Sequence, residues 1–90
     1  MTYDDAIDTL AEENPEALFA DGFEDALVGV CRRFGQPTLA AYDRVKCIAI
    51  LMRRDGMSEE EAEEFFDFNV IGAWAGESTP VFLDVAVHVP

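Results

Sequence analysis

Between Asp55 and Glu61 the sequence stops one helix and starts another with almost nothing between them. Gly56 follows Arg53 and Arg54, and a glycine just past terminal cations marks a helix C-terminus. Ser58 with Glu61 three residues on is a capping box, which marks a helix N-terminus. A connection of one or two residues forces the two helices into a tight helical hairpin. The first is capped by Asp43 and carries Val45, Ile48, Leu51 and Met52 as its apolar stripe. The second places Ala62, Phe65, Phe66, Val70 and Ala73 on one face, followed by Trp74, and Gly76 ends it.

The flanking segments are shorter. Tyr3, Ile7, Leu10 and Ala11 recur at helical spacing over 3–13, with Thr2 and Asp5 at cap and N3 and a stop at Asn14-Pro15. Ala17 to Ala20 is an apolar run before an Asp21-Gly22 turn and is expected to form a strand. Residues 26–34 admit a helix, through Leu27, Val28, Cys31 and Phe34, or a strand, through the β-branched Val28-Gly29-Val30 run. A second apolar run, Thr38 to Tyr42, follows Gly35-Gln36-Pro37 and favours a β-hairpin. Thr79 to Val87 alternates as a strand, with Val81, Leu83, Val85 and Val87 on one side and Phe82, Asp84, Ala86 and His88 on the other. Pro80 suits its entry or an edge position. The expected fold is α+β: one domain, residues 1–90, with a small antiparallel-containing sheet and the helical hairpin packed on one face.

Charge is segregated along the chain. Residues 1–25 hold nine acids and no base, 26–55 hold six bases and two acids, and 56–90 hold eight acids and no Lys or Arg. The formal net charge is -13. Such a field repels nucleic acid and anionic membranes and attracts basic partners or cations. Half the residues are apolar, which argues against disorder. No apolar run reaches the roughly 20 residues of a membrane span, and the acidic start is wrong for a signal or transit peptide. A cytoplasmic protein is expected, with Cys31 and Cys47 as free thiols rather than a disulfide.

The densest acidic cluster is Glu59, Glu60, Glu61, Glu63, Glu64 and Asp67. On a helix, Glu60, Glu63, Glu64 and Asp67 form one ridge that Glu59 continues, with carboxylates about 5–6 Å apart. Phosphates along a nucleic-acid strand are spaced comparably, so a protein that grips DNA through Lys and Arg has reason to accept the ridge. A charged outer face is also what any amphipathic helix shows water, and acids in a first turn complement the helix dipole. One Lys among six bases, with abundant acids, equally suits a high-salt cytoplasm. Phe68 and Ile71 lie off the main stripe and leave a second apolar patch suited to a partner or to self-association. Asn69 falls on the stripe, where a buried amide would tie the helix to the sheet or to a loop. Its alternative role is a polar anchor in a recess with Phe65 and Trp74.

Motifs for catalysis are missing. His88 has no ligand-spaced neighbour, and neither cysteine has a CxxC partner, so both are expected in the core. There is no phosphate loop or nucleophile elbow. Asp21-Gly22-Phe23-Glu24-Asp25 lacks the alternating ligands of a calcium loop and fits a turn followed by a cap. No cofactor or metal is expected.

Several stretches resemble a family of small acidic, uncharacterised proteins of phages and prophages. They are Asp21 to Ala26, Tyr42-Asp43-Arg44 with Lys46-Cys47-Ile48, Ile50-Leu51-Met52, Asp55 to Ser58, Glu61 to Phe66, Phe68 to Trp74 with Gly76-Glu77, and Thr79 to Phe82. The run from Asp55 to Phe82 is the most specific. The resemblance implies a phage or prophage origin and a compact α+β fold, and it carries no functional residues with it. Small acidic phage proteins often inhibit host nucleic-acid machinery, as anti-CRISPR proteins and restriction inhibitors do. The expectation is therefore a non-enzymatic, DNA-mimic-like inhibitor of a basic host protein. Glu59, Glu60, Glu63, Glu64, Asp67, Phe68 and Trp74 would form its binding surface, without direct contact to nucleic acid or membrane. The alternative is an accessory domain whose acidity only solubilises, with a homodimer built on Phe68, Ile71 and Trp74.

Overall fold

The computed structural model describes residues 1–73 and 76–86. Helix α1 spans Tyr3–Glu13 and opens on the expected capping box, with Thr2 Oγ1 accepting from the Asp5 N–H and Asp5 accepting from the Thr2 N–H, both at 3.1 Å. A 3₁₀ turn over Glu24–Ala26 leads into strand β1, Leu27–Cys31, which pairs antiparallel with β2, Leu39–Asp43. The hairpin of the two alternatives is thus the one that forms. The mid-segment glycine that blurred the choice sits beside a bulge: the register shifts between Leu27 and Gly29, and Gly29 takes φ +156°. A β-carbon would resist that conformation, so the glycine serves the bulge. Phe34 stands fully in solvent at the hairpin tip, beside Arg33.

Helix α2, Arg44–Asp55, starts directly from the end of β2. Asp43 is both the last strand residue and the cap, its side chain accepting from the Lys46 N–H at 3.3 Å. Gly56 closes the helix in the left-handed region at φ +68°, as the terminal signature requires. Helix α3, Glu59–Phe65, follows after three residues, with the Ser58–Glu61 capping box formed, and packs on α2. The helical path then widens into a π turn over Phe66–Val70 and tightens into a 3₁₀ turn over Ile71–Ala73. Strand β3, Val81–Leu83, pairs parallel with β2, giving a mixed sheet in the order β1-β2-β3. The class is α+β, with a small open sheet.

The core gathers Leu10 from α1, Tyr42 from β2, Cys47, Ile48, Ile50 and Leu51 from α2, and Ala62, Phe66 and Val70 from the last helical segment. Aromatic rings tie the layers together. Phe66 meets Phe23 edge-on at 5.9 Å and Phe82 edge-on at 5.0 Å, and Phe82 stacks on Tyr42 at 5.5 Å.

Several expectations are corrected. The helix that starts at Ser58 does not run to Gly76: it ends as an α-helix at Phe65. Phe65, expected on its buried face, is exposed. Ala17 to Ala20 forms no strand, because its backbone is spent on tertiary bonds: the Leu18 N–H donates to the Ser78 carbonyl at 3.1 Å and the Ala20 N–H to the Tyr42 hydroxyl at 2.8 Å. Val45 is 55% exposed and Met52 38% exposed, since the sheet and α3 cover the Cys47–Leu51 side of α2 and not its edges. The last strand stops at Leu83, and Phe82, not its neighbours, turns to the core rings. Cys31 is only half-buried, at the rim of the hairpin. Asn69 is exposed, its amide donating to the Phe65 carbonyl at 3.2 Å within its own helix. Val87, His88 and Trp74 lie outside the described residues.

The buried amide that fastens a helix to the sheet is instead Asn14. Its Nδ2 donates to the Thr38 carbonyl at 2.9 Å and to Ser78 Oγ at 3.3 Å, and its Oδ1 accepts from the Glu16 N–H at 3.3 Å. One side chain thereby joins the end of α1, the start of β2 and the approach to β3.

Candidate functional site

Helix α3 and the π turn after it present three faces. Ala62, Phe66 and Val70, four apart, are buried. Acids flank this stripe on both sides, and the two sides differ.

On one side stands the ridge of Glu60, Glu63 and Asp67. Arg44, at the start of α2, reaches across to it: Nη2 lies 3.1 Å from Asp67 Oδ1 and Nη1 4.0 Å from Glu63 Oε1. The guanidinium also sits 5.8 Å from the Phe66 ring centroid, so the buried ring holds it from below. Two members of the expected ridge are therefore partly neutralised from within the protein. The ridge also loses its regular step where the α-helix gives way to the π turn at Phe66.

On the other side Glu61, Glu64, Phe65, Phe68 and Asn69 recur at three and four residues, and with Met57 they line a cleft of about 330 Å³. Phe68 is 76% exposed and Phe65 38%. The capping box that starts α3 also fixes one wall of the cleft, because Glu61 Oε1 accepts from the Ser58 N–H at 3.0 Å. That bond holds the Glu61 carboxyl below the usual carboxylate range and therefore ionised at neutral pH. Asn69 Nδ2 donates one N–H to the Phe65 carbonyl at 3.2 Å and lines the cleft. The charged groups lining this cleft are two carboxylates, Glu61 and Glu64, and its apolar groups are two phenyl rings and a thioether.

Among the described residues, arginines pair with four acids: Arg32 with Glu13, Arg44 with Glu63 and Asp67, and Arg54 with Asp55. None reaches Glu59, Glu60, Glu61 or Glu64. The Arg32–Glu13 pair is bidentate at 2.9 and 2.6 Å, and Thr38 Oγ1 adds a third bond at 2.8 Å, lowering the Glu13 carboxyl to about 2. Arg54 lies over the Phe23 ring and donates to the Gly22 carbonyl. These arginines stitch the fold together.

The structure thus divides the expected surface. Glu63 and Asp67 fall on the Arg44 side with Glu60. Glu64 and Phe68 fall on the cleft side, and Glu59 opens the helix. Asn69 and Phe65, both exposed, line the same open cleft, with Glu61 and Met57 added. The capping box was the one sequence signal that pointed to Glu61, and Met57 had none beyond its place in the connection.

Cys47 is fully buried, and burial pushes its thiol up to about 12, so it is inert as a nucleophile near neutral pH. No group of three His, Cys, Asp or Glu side chains converges as a metal site among the described residues. No helix among them is long and apolar enough to cross a membrane. No family model matches the chain, and no curated protein or solved structure matches it.

Proposed function

We propose that this chain acts by binding a basic protein through the acidic and aromatic surface of α3. The partner is a nucleic-acid-binding or defence protein of a bacterial host, and the chain is a phage or prophage inhibitor working in the cytoplasm. The observation that carries the proposal is the pairing of unneutralised carboxylates, Glu61 and Glu64, with the exposed rings of Phe65 and Phe68. Carboxylates alone are what any solvated helix displays. Exposed aromatics beside them offer the buried anchor contacts that give a protein interface most of its energy. The net charge of -13 adds long-range attraction for a basic partner.

The test is capture from a bacterial lysate at low and moderate salt, with the wild type and with Glu60, Glu61 and Glu64 all changed to Lys. A basic nucleic-acid-binding protein held by the wild type, released by salt and absent from the triple variant is the expected result. Equal capture by a folded triple variant would remove the proposal.

The exposure of Phe68 favours a second function, self-association of an accessory domain. Sedimentation of wild type and Phe68→Glu separates the two, because only a dimer built on this face changes mass with the substitution.

A further inference from the structure

The cleft beside α3 is narrower in its chemistry than a generally acidic surface. Its charged lining is two carboxylates, Glu61, held in place by its capping bond, and Glu64, with the Asn69 amide beside them. Its apolar lining is Phe65, Phe68 and Met57. A ligand for it must supply several hydrogen-bond donors, carry positive charge and present a face that stacks on rings. An ammonium group is compact and strongly hydrated and satisfies the first two conditions. A guanidinium is planar, weakly hydrated, rich in donors in a fixed fork and able to stack on aromatic faces, and it satisfies all three.

We infer that this cleft takes an arginine side chain of the basic partner, its guanidinium stacked against Phe65 and Phe68 and bonded to Glu61 and Glu64. The inference rests on the proposed binding function and gives it an anchor. It also moves the centre of the interface away from the ridge, where Arg44 already occupies Glu63 and Asp67. The chain's own hairpin tip offers a rival occupant, since Arg33 and the fully exposed Phe34 stand together there. A second copy carries the same charge of -13, however, and the long-range repulsion between two such chains favours a basic partner over self-insertion.

The test titrates the full chain, followed by NMR, with two capped octapeptides that differ in one respect: four Arg alternating with four Leu, or four Lys alternating with four Leu. Saturable shifts centred on Met57, Phe65 and Phe68 are expected, with the Arg peptide bound about tenfold more tightly, the scale of a partly desolvated cation–π contact. Phe68→Ala and Glu61→Gln should each weaken the Arg peptide about tenfold, whereas Glu63→Gln should leave it unchanged. Glutamine preserves the capping box, so Glu61→Gln tests the charge without undoing the helix. Equal binding of both peptides, with shifts spread over α1 and α3 and a steep salt dependence, would overturn the arginine cleft and leave the acidic-surface proposal standing. Failure of both peptides to bind at low salt would overturn both. A concentration-dependent mass that Arg33→Ser abolishes would identify the occupant as a second copy and overturn the inference.

Discussion

Helices α1 and α3 begin alike and end in different roles. Each opens on a capping box, Thr2 with Asp5 and Ser58 with Glu61, and neither contains a base. Each buries a narrow stripe, Ala6 and Leu10 in α1, and Ala62 in α3 continued by Phe66 in the π turn after it. The outer face of α1 carries Asp4, Asp5, Asp8 and Glu12 with little apolar surface among them, apart from Tyr3 at its first residue. Its last acid, Glu13, is bound to Arg32 and Thr38 and anchors the helix to the hairpin. The outer face of α3 and its π turn carries Glu61 and Glu64 around Phe65 and Phe68. Two equally acidic helices therefore differ in what stands between the acids. Charge with no ring set among it is a solvated face, whereas charge set around rings has the makings of a binding site.

The comparison is open to test. The largest effect is expected within the α3 segment itself. Phe66→Ala should cost about 3–5 kcal/mol in denaturant unfolding, since Phe66 is fully buried among Phe23, Phe82 and Arg44. Phe68→Ala, two residues on, should cost no more than about 0.5 kcal/mol, as exposed positions do. Similar costs at the two positions would mean that Phe68 is part of the core and not of a binding face.

The next effect separates the two asparagines. Asn14→Ala should destabilise by about 1–3 kcal/mol, because it strands the Thr38 carbonyl and the Glu16 N–H. Asn69→Ala should be close to neutral by the same measurement, its bond being local and exposed.

The caps come third. Thr2→Ala and Ser58→Ala should each cost about 1 kcal/mol, since the two boxes have the same geometry. Their consequences for binding should diverge: only Ser58→Ala releases the Glu61 carboxylate and so weakens the arginine peptide. Equal loss of peptide binding in both variants would erase the distinction between the helices.

The smallest effect is a titration. The Glu13 carboxyl should titrate near 2 in the folded chain, against an ordinary value of 4.5, because Arg32 and Thr38 bond its charged form. A depressed carboxyl stabilises the fold fully above its unfolded value and loses that contribution as pH falls through its folded value. The window is thus about 4.5 down to 2. In Arg32→Ala the NMR midpoint of Glu13 should move back toward 4.5, and an unmoved midpoint would remove Arg32 as the cause.

Much of the fold was legible because its signals are local. Both capping boxes, the Asp43 cap and the Gly56 stop are set by residues within four positions of one another, and the hairpin closes locally across Gly35-Gln36-Pro37 with Cys31 opposite Leu39. The errors fall where local pattern leaves a tie. Phe65 and Phe66 are adjacent rings, and periodicity allows either to lead the buried stripe; contact with Phe23 and Phe82 selects Phe66. Asn14 and Asn69 are both plausible buried amides, and partners 24 and 64 residues away select Asn14. Ala17 to Ala20 has the composition of a strand, yet its donors find the Ser78 carbonyl and the Tyr42 hydroxyl instead.

The same division holds for the site. The sequence by itself determined where the helices start and where α1 and α2 stop, that α3 is acidic throughout, and that Phe68 stands off the buried stripe, because helix caps and helical spacing act over one or two turns. Tertiary structure alone decided which acids stay free. Arg44 is 19 residues from Glu63 in sequence and 23 from Asp67, and the packing of α2 on α3 brings its charge to one side of the helix and not to the other. Coulomb attraction at 3–4 Å offsets one of the three negative charges on that side, and distance leaves Glu61 and Glu64 free beside their rings.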